Sequence, residues 1–128
     1  DEFNREITDS QWKAQVYRCM RRIPTLEEPS RKRGVVDLYD VSDDWLPIYD
    51  STRIKGYYMA IGSSGNQFKN ASIAGHCMAE LIEACEKGQN HDEDPVQVKT
   101  VYTGLTLNMG FYSRNREINP NSSFSVNG

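Results

Sequence analysis

Apolar residues recur at helical spacing in two parts of this chain and at strand spacing in several others. Trp12, Val16, Cys19, Met20 and Ile23 share one face of a segment whose other positions carry Lys13, Arg18, Arg21 and Arg22, which predicts an amphipathic helix. Thr8-Asp9-Ser10-Gln11 opens it as a capping box, and Ile7 and Trp12 stand where a hydrophobic staple sits. Pro24 stops it, having no N–H to give and a ring that clashes with the preceding turn. Ile73, Ala74, Cys77, Met78, Leu81, Ile82 and Cys85 mark a longer helix within Phe68 to Lys87. Gly88 follows it where a left-handed terminator is wanted.

Between and after the helices the pattern shortens. Val35 to Tyr39 reads as a strand without clean alternation, Ile48-Tyr49 begins a second, and Tyr57 to Ile61 is a short buried run. Val96, Val98 and Val101 suggest another. Leu105, Leu107, Met109 and Phe111 then alternate strictly, predicting a half-buried strand that pairs back across a turn at Thr103-Gly104. The fold class is α+β: an N-terminal helix, antiparallel strands, a strand-turn-long helix unit and a C-terminal hairpin.

Composition narrows the function classes. At 128 residues the chain has one domain's length. A net charge of −3 gives no electrostatic footprint for nucleic acid. No apolar run approaches membrane-spanning length. The three cysteines are odd in number and lack metal spacing. Cys77 and Cys85, about 12 Å apart along one helix, cannot bridge to each other. A reducing cytoplasm is the compartment this fits, and no metal site is expected.

Gly62-Ser63-Ser64-Gly65-Asn66-Gln67 joins the Tyr57 to Ile61 run to the helix beginning at Phe68-Lys69. A helix start carries unpaired N–H groups and partial positive charge, and glycines let a ligand approach the backbone. Such a corner suits an anion or an electron-rich ring edge. By physics alone a packed corner that binds nothing is the commoner outcome.

The residues add to this. Gly56 to Ala71, with its apolar strand, Gly-x-Ser-Gly turn and Phe68-Lys69 pair, resembles the C-terminal flavin loop of FAD-dependent amine and amino-acid oxidoreductases. These are the D-amino-acid, glycine, sarcosine and dimethylglycine oxidases and dehydrogenases. Met78-Ala79-Glu80-Leu81-Ile82 matches the helix ending of that pattern. Leu38 to Ile48 resembles its Asp-x-x-Pro strand pair, and Phe111 to Asn119 the tail of one bacterial branch. Asn66 and Gln67 depart from the His-Gly common in the family.

The resemblance implies a fragment of a two-domain, Rossmann-type flavoprotein. Residues 1–55 would end a substrate-domain-like region, 56–88 would close the FAD-binding domain, and 89–128 would form a hairpin and tail. Gly62, Ser63, Ser64, Gly65, Asn66, Gln67, Phe68 and Lys69 would face the flavin, with Lys69 near a substrate carboxylate or the flavin edge. The structural alternative for Lys69 is a solvated side chain snorkelling from the turn. The chain starts at Asp1 and has no Gly-x-Gly-x-x-Gly after a strand. With the resemblance, this implies a missing N-terminal half that holds FAD, so the piece alone would be inactive toward its small amine or amino-acid substrate. The competing expectation is a small non-catalytic binding module that self-associates.

Other chemistry-bearing residues read as structural. Asp43 and Asp44 fit a turn, since aspartate bonds nearby backbone N–H groups. His76 and His91 lack partners at useful spacing and read as bystanders, His91 in a polar loop. Arg114 and Arg116 are expected in solvent or against the absent half.

Overall fold

A computed structural model of the chain describes residues 2–122. They form two helices and two two-stranded antiparallel sheets, an α+β arrangement. The chain divides after Leu38 into two compact units.

The first unit is built on helix α1, Asp9–Arg22. The capping box forms as its sequence predicts, with the Thr8 hydroxyl accepting from Gln11 N–H and Gln11 Oε1 accepting from Thr8 N–H. Ile23 closes the helix by donating to Cys19 O at 2.8 Å, just before Pro24. Lys32 returns to Asp9 at 2.7 Å, and Ile7 lies so close over Gly34 that an added Cβ would sit 2.8 Å from it. Trp12, Val16 and Met20 are half-buried, and no residue of α1 is fully buried. Val35 to Tyr39 does not form the expected strand. A strand needs a partner ladder, none pairs with it among the described residues, and Val35 and Leu38 are left exposed.

In the second unit, β1 (Ile48–Ser51) pairs with β2 (Tyr58–Ile61), Tyr49 lying opposite Ala60 and Asp50 opposite Met59. A 3₁₀ turn, Phe68–Asn70, leads into α2, Ala71–Glu86. Helix α2 ends in a Schellman motif. Gly88, at φ +99°, donates to Cys85 O, and Gln89 donates to Ala84 O. Strands β3 (Gln97–Lys99) and β4 (Thr106–Asn108) form the second hairpin, with Gly104 at φ +67° in its turn. The core joins Cys77 and Leu81 of α2 to Tyr49, Val96, Val98 and Met109.

Two strand expectations are shortened. Val101 lies in the exposed turn rather than in β3. The alternation from Leu105 to Phe111 continues as β4 only to Asn108. There the Asn108 side chain accepts from Gly110 N–H, and Met109–Tyr112 coils into a 3₁₀ turn. An Asn that offers its own backbone a local acceptor ends a strand readily. The expected tail is described as far as Ser122, and residues 123–128 lie outside the described residues.

Candidate functional site

The turn after β2 is held from behind by one carboxylate. Asp40 accepts from Gly62 N–H through Oδ2. Its Oδ1 accepts from Ser63 N–H at 3.1 Å and from the Ser63 hydroxyl at 2.6 Å, and its carbonyl accepts from Ser64 N–H at 2.9 Å. These bonds, the Ser63 hydroxyl foremost, lower the Asp40 pKa. Three successive N–H groups are therefore used inside the chain. Gly62, at φ +70°, is buried, and a Cβ there would meet Ser42 Cβ at 3.2 Å. Its lack of a side chain lets the Ser42 to Pro47 segment approach. Ser64 is buried in a left-handed conformation at φ 49°, while Gly65, at φ +73°, is exposed.

The far half of the turn borders a cavity of about 460 Å³. Asn66, Gln67, Lys69 and Asn70 form a polar edge along it. Trp45, Pro47, Tyr49, Cys77, Phe111 and Tyr112 also line it. The carboxamides are linked: Gln67 Nε2 donates to Asn66 Oδ1 at 2.7 Å, and Gln67 Oε1 accepts from Asn70 Nδ2 at 3.0 Å and Tyr49 Oη at 3.4 Å. Gln67 has right-handed helical backbone angles, so this position does not require the family's glycine. Tyr49 and Tyr112 pack with ring centroids 5.4 Å apart. Burial raises the pKa of both phenols and of the Cys77 thiol, so all three stay protonated near neutrality.

Of the eight turn residues singled out in the sequence, Asn66, Gln67 and Lys69 reach the cavity. Gly62, Ser63 and Ser64 are tied to Asp40 or buried behind it, and Phe68 points away at 98 % exposure.

Two expectations about charged groups are corrected. Neither arginine is spent on solvent or an absent half. Arg114 bridges Asp50 at 2.9 Å and Asp92 at 2.6 Å, and Arg116 Nε donates to Asp44 Oδ2 at 2.8 Å. That pairing holds the Asp44 pKa at about 2, against the opposing effect of burial. His91 is not a loop bystander but is buried beside Asp50. Its Nδ1 accepts from Val96 N–H at 3.1 Å, which leaves the ring proton on Nε2, 3.6 Å from Asp50 Oδ1. Asp50, fully buried, also accepts from Ser113 Oγ at 2.9 Å and Arg114 N–H at 2.7 Å. Ser113 thus bonds the carboxylate rather than the imidazole, and no nucleophile-base pair is formed. Cys85 is also a thiol, its pKa raised by burial first and then by Asp50. His76 Nε2 faces Lys99 O at 3.3 Å.

No cluster of three His, Cys, Asp or Glu among the described residues is arranged to hold a metal, and no described helix is long and apolar enough to cross a membrane. No protein-family model, curated protein or solved structure matches the chain.

Proposed function

We propose that this chain is the flavin-facing, C-terminal part of an FAD-dependent oxidoreductase acting on the C–N bond of an amino acid or N-methylated amine. In this reading its strand, turn and helix close the FAD-binding domain of a two-domain, Rossmann-type enzyme. One observation carries it: Asn66, Gln67 and Lys69 border the same cavity as the rings of Trp45, Tyr49, Phe111 and Tyr112. Aromatic walls suit the faces of a flat heterocycle, and carboxamides and an ammonium suit its polar edge. The donor set therefore fits an isoalloxazine ring.

When bound, flavin supplies the redox chemistry, accepting the hydride equivalent from the carbon beside the substrate nitrogen. Lys69 balances negative charge at the ring edge or on a substrate carboxylate. Asn66 and Gln67 orient the polar edge, and the aromatic side chains exclude water. The ADP half of the cofactor falls to a segment N-terminal to this one, so the 128-residue chain by itself does not turn over.

In the full-length polypeptide carrying this segment, Gln67→Trp, which places a bulky ring at a cavity-lining position, is expected to lower flavin absorbance and turnover together. Tyr102→Trp supplies the control, since Tyr102 is exposed and does not line the cavity. Full flavin content and unchanged activity in the Gln67 variant overturn the proposal.

A second reading, a non-catalytic module that self-associates, is favoured by α1, an amphipathic helix with no fully buried residue. Concentration-dependent sedimentation of the chain, unaltered by FAD, supports it. A monomer at all concentrations removes it.

A further inference from the structure

Arg116 ties together two walls of the cavity without lining it. Its Nε donates to Asp44 Oδ2 at 2.8 Å, Nη2 donates to Asp44 Oδ1 and to Leu46 O at 3.0 Å, and Nη1 donates to Ser113 O at 3.1 Å. Asp44 and Leu46 flank Trp45, and the Trp45-Leu46-Pro47 segment is one wall. Ser113 directly follows Phe111-Tyr112, a second wall-forming segment of the same cavity. One buried guanidinium thus holds the backbone on both sides, across 72 residues of sequence.

The wall it grips on the Trp45 side needs holding. Trp45 sits at φ 61°, a left-handed conformation that is sterically unfavourable for a bulky L-residue. Asp44 fixes that bend by accepting from Leu46 N–H at 3.2 Å and from the Ser42 hydroxyl at 3.3 Å. Only a planar fork of donors reaches a carboxylate and two carbonyls together, which lysine's single ammonium does not reproduce.

We propose that Arg116 is a positioning residue that sets the gap between the Trp45 to Pro47 wall and the Phe111-Tyr112 wall, and so determines the width of ring the cavity admits. The tie between the two segments stands on the Arg116 hydrogen bonds, while its use for a flat ring rests on the flavin reading above.

The test uses the 128-residue chain with Trp12→Phe, which leaves Trp45 as its one indole. Acrylamide quenching reports how open the Trp45 wall is, and quenching by added lumiflavin reports ring binding. Arg116→Lys is expected to raise acrylamide quenching severalfold and to weaken lumiflavin binding about tenfold. Asp44→Asn is expected to do the same and stands in should the arginine variant fail to fold. Gly88→Ala strains the end of α2 but touches none of the Arg116 bonds and no cavity-lining residue, and is expected to leave both signals near the parent values.

Parent-like acrylamide quenching in both Arg116→Lys and Asp44→Asn overturns the proposal, as does an equal rise in Gly88→Ala, which indicates general loosening. Should the parent chain ignore lumiflavin while Arg116→Lys still frees Trp45, the flavin reading fails and the gap assignment holds.

Discussion

Asp40, Asp44 and Asp50 lie within eleven positions of one another, and each is bound to donors far along the chain. Of the three, only the local role of Asp44 was legible. Asp44 was expected to shape a turn, and it does so through Leu46 N–H. Its second role, pairing with Arg116, has no local signal. The pairing gives a pH dependence whose sign follows from the direction of the shift. With the folded value at about 2 against an ordinary 3.8, the unfolded chain takes up the proton first as pH falls. The contribution of Asp44 is therefore complete above about pH 4 and is lost as pH drops toward 2, by about 2 kcal/mol. Urea midpoints measured from pH 5 to pH 2 should show this fall. In Asp44→Asn that component of the fall should be missing, and an unchanged acid profile would refute the assignment.

At the scale of elements, the helices were readable because the signals that start and stop them are contiguous. The Thr8 to Gln11 box and Pro24 bound α1, and Gly88 bounds α2 in the geometry its position implied. Thr8→Ala should cost about 1 kcal/mol, seen as lost helical ellipticity at a given temperature. Gly88→Ala should cost a similar ~1–2 kcal/mol by forcing a side chain into φ +99°. Wild-type melting in either would contradict the cap in question. Strands fared worse, since a strand exists only with a partner. Val35 to Tyr39 has apolar residues and no neighbour to pair with among the described residues, and β4 ends early because Asn108 satisfies a local N–H.

At the scale of the molecule, the segment after Tyr112 is bound to β1 and the residues before it through Asp50 and Asp44. Arg114→Met leaves Asp50 buried without its cation, and a broken buried pair of this kind costs about 3–5 kcal/mol. Its thermal midpoint should fall well below that of Lys87→Met, which cuts only a solvent-exposed pair with Glu83. Equal midpoints would mean that Arg114 contributes no more than a surface charge. His91 belongs to the same scale, since it looks like a loop residue until Val96 and Asp50 close around it.

The sequence by itself determined the two helices, the capping box and stop of α1, the left-handed Gly88 and the class of arrangement. Those depend on residues within a few positions of each other, where backbone sterics and periodicity decide. Tertiary structure alone decided that Asp40 fills the near half of the glycine turn, that the arginines turn inward, and that Asn66, Gln67 and Lys69 share a cavity with four aromatic rings. Each of these joins groups separated by tens of residues. Hydrogen bonds and ion pairs act over a few ångströms of space, and a linear pattern does not record which distant groups come that close.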